Sequence, residues 1–172
     1  MRKVEVHRYN SDWSRQFDLE KQALMHIYQT LAASYHHIGS TSIPNMSAKP
    51  IIDIMIEVDD LGLVDSLNGL MENIGYEARG ENGVEDRRYF QKGGNHRTHH
   101  VHVFPTGHPQ VLRHIIFRDY LINHSDEAME YATLKERLAT QYANDIASYI
   151  AGKDAFIKEI DRKAAKWYSN NR

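Results

Sequence analysis

Hydrophobic and polar positions recur along this chain in distinct rhythms, and each rhythm predicts an element. After Ser11-Asp12-Trp13 the apolar residues Phe17, Leu24, Ile27, Tyr28 and Leu31 keep helical spacing, which predicts an amphipathic helix capped by Ser11 or Asp12. Residues 35–38 read as a short strand running into a turn at Gly39-Ser40, and residues 41–49 as a polar loop holding Pro44 and Asn45. Residues 51–58 are apolar nearly throughout and rich in isoleucine, the pattern of a central strand covered on both faces. A helix follows through Leu63, Leu67, Leu70 and Met71, with Gly75 closing it. Three shorter strands are expected at residues 76–79, 87–91 and 99–104, with Gly83 and the Lys92-Gly93-Gly94-Asn95 stretch supplying turns. Beyond Pro109 the spacing is helical: residues 110–122, 125–143 with Ser125 as cap, and 153–168. Strands in the middle with helices around them predict an α/β fold whose mixed sheet has about four to six strands.

Length and composition narrow the picture. A chain of 172 residues suits one domain, expected here as an α/β core over 1–108 with C-terminal helices over 109–172 packed on it. The absence of cysteine excludes disulfides, thiolate metal sites and cysteine nucleophiles. A net charge of -2 gives no global basic field, so nucleic acid is not expected as a partner, although 11 histidines leave room for a local basic groove. The opening Met1-Arg2-Lys3-Val4-Glu5-Val6-His7 lacks the apolar centre of a signal peptide, and no apolar run nears the ~20 residues that span a bilayer. A cytoplasmic protein without membrane contact is the expectation.

Candidate chemistry concentrates between His37 and Ile56. A strand ends in Gly39-Ser40, a polar loop follows, and a buried strand then carries one carboxylate, Asp53. An ionised acid in an apolar strand costs several kcal/mol unless it is paired, hydrogen-bonded or metal-bound. Gly39 lets a backbone approach a ligand closely, and Ser40, Thr41 and Ser42 offer hydroxyl and amide donors to a phosphate. Lys49 could neutralise that phosphate, and so could one of Arg87 and Arg88, with Arg88 preferred. Arg118 is either an anion clamp or a partner of Asp119. Downstream, His100 and His102 alternate with Val101 and Val103, so both imidazoles share a face. If their strand lies beside that of Asp53, the three side chains converge. Such a set suits a transition metal rather than Mg²⁺, or a proton relay. The plainer alternatives are a structural acid paired with Lys49 or an arginine, and solvent-facing histidines on a half-exposed strand.

A Gly-Ser turn followed about a dozen residues later by an acid between apolar neighbours resembles the nucleotidyltransferase signature. More narrowly, the chain resembles the GrpB family through His37-Ile38-Gly39-Ser40-Thr41-Ser42-Ile43-Pro44 and Lys49-Pro50-Ile51-Ile52-Asp53-Ile54. Arg97-Thr98-His99-His100-Val101-His102-Val103-Phe104, Phe117-Arg118-Asp119-Tyr120-Leu121 and the run from Tyr131 to Ala139 complete the match. The resemblance implies a nucleotidyltransferase-like fold, a phosphate-gripping turn and two metal-binding carboxylates one residue apart. Here Asp53 takes the first position and Met55 the second, and a thioether does not ligate hard Mg²⁺. Glu57 shares the face of Asp53 but lies ~13 Å along the strand. The resemblance therefore implies a protein binding a nucleotide or small phosphorylated ligand, and the residues themselves offer Asp53, His100 and His102 as the holders of a divalent metal, transition metal or Mg²⁺. It either performs transfer or is an accessory module that lost it. Relatives fused to dephospho-CoA kinase point to coenzyme A as one ligand.

Overall fold

The helix expected first forms as α1 (Asp12–Tyr28) and ends in a 3-10 turn at Gln29–Leu31. Next come β1 (Ala32–Ile38), a 3-10 turn at Ser40–Ser42, and β2 (Ile52–Val58). The structure is a computed structural model that describes residues 2–172 apart from the side chain of Ala33; Met1, where the expected domain begins, lies outside the described residues.

The helix expected between Leu63 and Gly75 is broken into α2 (Leu61–Ser66) and α3 (Asn68–Asn73). Leu67 sits between them at φ -100°, ψ 3°, outside helical geometry. Asp60 caps α2 by accepting from the amides of Gly62 and Leu63, and Gly75 leaves α3 at φ 94°. The remaining strands are β3 (Tyr76–Ala78), β4 (Arg88–Lys92) and β5 (His99–Pro105). They complete a five-stranded mixed sheet of order β1-β2-β5-β4-β3, parallel only between β2 and β5.

Three helices follow: α4 (Pro109–Asn123), α5 (Ser125–Gln141) and α6 (Ile146–Asn170). Ser125 is the first residue of α5 rather than its cap; His124 stands in the cap position and makes no side-chain capping bond. The last helix begins seven residues before the expected Lys153, where Asp145 accepts from the amide of Ser148. Gly152, which weakens a helical reading, lies where α5 and α6 press together. A Cβ there would stand 2.6 Å from Leu138 Cδ2.

Two compact units result. The sheet unit comprises Asp12–Ile38 and Ile51–Leu112. Strand β2 is its axis: Ile52, Ile54, Met55, Ile56 and Val58 are fully buried. Pairing across the strands sorts the side chains into two faces. One face, with His37, Ile54, His99 and Lys92, receives α1: Phe17 stacks on His37 at 4.8 Å, and Glu20 takes bonds from Tyr76 and Lys92 at 2.8 and 2.9 Å. The helical unit comprises Gly39–Pro50, Arg113–Arg172 and the N-terminal segment ending at Ser11. Its core joins Ile43 and Met46 to Ile116, Tyr120, Leu121, Tyr131 and Ile160, and a smaller cluster holds Val4, Leu138 and Tyr149.

Candidate functional site

The other face of the sheet is polar. Parallel register sets Asp53 opposite His100 and Met55 opposite His102, while antiparallel register sets His36 opposite Met55. One oxygen of Asp53 stands 3.2 Å from His102 Nε2 and 3.4 Å from His100 Nδ1. The three side chains keep 28%, 15% and 19% of their surface, for Asp53, His102 and His100 in turn. Tyr89 wedges its ring against both imidazoles, at 5.6 Å from His100 and 5.4 Å from His102, and the guanidinium of Arg87 lies over that ring at 4.9 Å. Burial opposes ionisation of Asp53, but the hydrogen bonds and charge of His100 and His102 outweigh it and hold the carboxyl well below its usual range. Nε2 of His100 is enclosed and has no hydrogen-bond partner among the described residues. Farther along the face, Glu57 accepts from Ser34 at 2.7 Å and from the amide of Gly107 at 3.2 Å, with His36 Nε2 at 3.1 Å.

Met55, where the resemblance would place a second carboxylate, is fully buried. Asp53 is already engaged by two ring nitrogens, and among the described residues no group of three or more His, Asp or Glu side chains is arranged to hold a metal ion. Asp53, His100 and His102 as they stand form a hydrogen-bonded set. They do not fit a divalent ion.

In the helical unit, Gly39 turns at φ 71°, a conformation that a Cβ would strain, and the Ser40–Ser42 turn follows with the Ser42 hydroxyl donating to Gly39 O at 2.5 Å. Against this turn lies Lys135 of α5, 2% exposed, its ammonium donating to Ser40 Oγ at 2.8 Å and standing 4.3 Å from the centre of the Tyr131 ring. Ser40 also bonds the Tyr131 hydroxyl. Burial drives the Lys135 ammonium well below the usual lysine value; the charge of Lys153 adds to the fall and that of Glu136 opposes it. Lys49 and Lys153 both lie over the buried ring of Tyr149, at 4.7 and 4.6 Å.

A family model described as GrpB protein matches residues 3–163. The chain belongs to the GrpB family. It is 51% identical over 166 residues to the UPF0157 protein YqkA of Bacillus subtilis, which covers 96% of this chain and 48% of that protein. The chain thus spans about half the length of that curated relative. The crystal structure of conserved protein GrpB from Enterococcus faecalis is 45% identical and superposes with a TM-score of 0.92, covering 95% of this chain and 99% of that one. A more distant similarity, 26% identity over 156 residues, is to a dephospho-CoA kinase of Mycolicibacterium paratuberculosis, covering 76% of this chain and 38% of that protein.

Within this GrpB chain the predicted residues fall into separate sets. The sheet unit brings Asp53, His100 and His102 together, as their alternation and neighbouring strands imply. Arg88 is not with them. It pairs with Val103 in register, so it lies on the opposite face, where it grips Asp65 at 2.7 and 3.2 Å. The arginine on the histidine face is Arg87, two residues before Tyr89 and over its ring. His37, on the face of Arg88, stacks on Phe17 of α1. In the helical unit Gly39, Ser40, Thr41 and Ser42 form the turn, Lys49 lies on Tyr149, and Arg118 donates to its neighbour Asp119 at 2.8 Å. Lys135 escaped the sequence reading. A lysine in a helix full of charges reads as solvated; the available signal was its helical spacing, four residues, from the apolar Tyr131 and within reach of Leu138.

Proposed function

We propose that this GrpB chain binds a nucleotide or another small phosphorylated ligand, as a nucleotidyltransferase-like protein, and grips the phosphate at Gly39, Ser40, Thr41 and Ser42. The observation that carries this reading is the buried ammonium of Lys135 on Ser40. Its hydrogen bond goes to a hydroxyl, not to a carboxylate, and the charge of Glu136 offsets only part of a burial that costs a charged group several kcal/mol. A phosphate oxygen at the turn would supply the missing negative charge, with Ser and backbone donors completing its shell. Lys49 and Lys153, gathered on Tyr149, extend the positive region and favour a ligand carrying more than one phosphate.

The test is thermal unfolding with inorganic phosphate, AMP, ADP, ATP and coenzyme A, for the wild type and Lys135→Met. A ligand at about a hundred times its Kd adds ~2.7 kcal/mol to native stability. The wild type should gain this from at least one nucleotide or from coenzyme A, and the variant should lose most of it. Equal responses in both proteins, or none in the wild type, would refute the reading.

Met55 favours a second reading, in which the chain binds the ligand without transferring a nucleotidyl group. The buried thioether removes one of the carboxylates that two-metal transfer requires. Under this reading the ligands stabilise the protein and no pyrophosphate is released from ATP.

A further inference from the structure

Within the helical unit, a second group of cations gathers on one aromatic ring. Tyr149 and Lys153 stand four residues apart on α6, so they share a side of that helix, and the Lys153 ammonium lies 4.6 Å from the centre of the Tyr149 ring. Lys49 reaches the same ring from the loop before β2, at 4.7 Å. The ring is buried, and burial pushes its phenol up to about 12, so near neutrality it brings no negative charge of its own. Its quadrupole draws each ammonium, but two like charges drawn to one ring also repel each other. This group adjoins the turn at Ser40. Burial first and the Lys153 charge second lower the Lys135 ammonium; burial first and Tyr149 second raise the Tyr131 phenol that bonds Ser40. Glu136, the acid that opposes the fall of Lys135, accepts from the Ser47 hydroxyl at 2.5 Å. The amino-terminal segment builds the arrangement from two sides. Buried Val4 packs with Leu138 and Tyr149 and donates its amide to Ala143 O at 2.9 Å. His7 and Ala48 exchange amide bonds at 2.8 and 2.9 Å, which fastens the loop at the residue before Lys49. One short segment thus steadies both the ring and the chain that carries one of its cations.

We propose that Tyr149 is a positioning residue that sets Lys49 and Lys153 as a second anion subsite, which takes the next phosphate of a chain whose first phosphate lies at Ser40. The ligand class is therefore one with directly linked phosphates, such as pyrophosphate or a nucleoside di- or triphosphate, rather than a monophosphate. The proposal rests on the phosphorylated-ligand reading above and names the part of that site which selects among such ligands. A phosphate between the two ammonium groups accepts charge-assisted bonds from both and offsets their repulsion, which the neutral ring cannot do. The aromatic ring is the needed side chain at position 149, because an aliphatic one of similar bulk fills the core without drawing the ammonium groups to a common place. Val4 acts on the subsite only through the ring.

The test titrates the whole chain with inorganic phosphate and with pyrophosphate by calorimetry, in metal-free buffer. The wild type should bind pyrophosphate about 10–100-fold more tightly than phosphate, the worth of one further hydrogen bond between charged groups. Tyr149→Leu should lose about tenfold of that preference, through weaker binding of pyrophosphate, whereas Tyr149→Phe keeps the ring and should retain it. Val4→Ala should move the preference in the same direction as Tyr149→Leu by a smaller factor. A merely structural role would weaken both anions alike. Melting temperatures show which variants are folded, and Lys153→Met, half-buried on α6, replaces Tyr149→Leu if the latter is not. Equal affinity of the wild type for the two anions overturns the proposal, and so does a folded Tyr149→Leu with the full preference or with equal losses for both anions. Each of these outcomes leaves the site at Ser40 standing. No binding of either anion by the wild type sinks the ligand reading itself, and the subsite with it.

Discussion

Replacing Lys135 with methionine should make the ligand-free protein more stable, which is the reverse of most core substitutions. The lysine is 2% exposed and Met has nearly the same length, so the packing against Tyr131 is kept. Removing the ammonium relieves a desolvation penalty of several kcal/mol. Against that stand one charge-assisted hydrogen bond to Ser40, ~1.5–3 kcal/mol, and one cation–π contact, ~1–2 kcal/mol. The balance is a gain of about 1 kcal/mol, or ~2–4 °C in Tm for a chain of this size. The gain should also depend on pH with a definite sign. The folded-state value of Lys135 lies well below the 10.5 of an ordinary lysine, so between the two the unfolded chain binds more protons. Wild-type stability therefore climbs with pH through that window, while the variant lacks this climb. Its advantage should be largest below the folded-state value and fade as pH rises toward 10.5. Urea unfolding at a series of pH values measures the difference directly. A variant less stable than the wild type by 2 kcal/mol or more, with an unchanged pH slope, would refute the account of a strained ammonium.

Asp53→Asn should cost about 1.5–3 kcal/mol at neutral pH, the worth of hydrogen bonds to a charged acceptor. Because the folded carboxyl titrates below its ordinary 3.8, that contribution is intact above this value and is lost as pH falls past it, so denaturation of both proteins near pH 7 and pH 3 should show a narrowing gap. Met55→Asp should lower Tm by several degrees in metal-free buffer, since it puts a carboxylate into a fully buried place; an unchanged Tm would mean that the site is wetter than its burial implies. Gly93→Ala should destabilise by ~1–3 kcal/mol, because Gly93 has φ 99° and a Cβ there would meet His96 O at 2.4 Å; equilibrium unfolding reads the change.

Local signals in the sequence carried most of the sheet. The isoleucines of β2 and the His-Val alternation of β5 predict burial and face with no knowledge of neighbours, and both hold. The break at Leu67 was invisible because the apolar spacing runs through it unbroken, and the first turns of α6 were masked by Gly152, whose role is to admit Leu138. Charged side chains were the least legible. Arg88 differs from Arg87 only by one residue of register, and that one step decides which face of the sheet it joins. The burial of Lys135 depends on residues 95 positions away, which no local window contains.

The pairing of β2 with β5 has a consequence for how the protein comes into being. These strands are sequence-distant, with two helices and two strands threaded between them, yet they are neighbours in parallel register. The aspartate therefore meets its imidazoles only after a long loop has closed, the slowest kind of contact to make and an expensive one in chain entropy. A nascent chain halted before residue 99 holds Asp53 in an apolar strand with nothing to neutralise it, so the half-made sheet is discouraged from settling. Arrival of the last strand completes the sheet and the polar trio in one event, and any lesion that loosens that seam should remove both together.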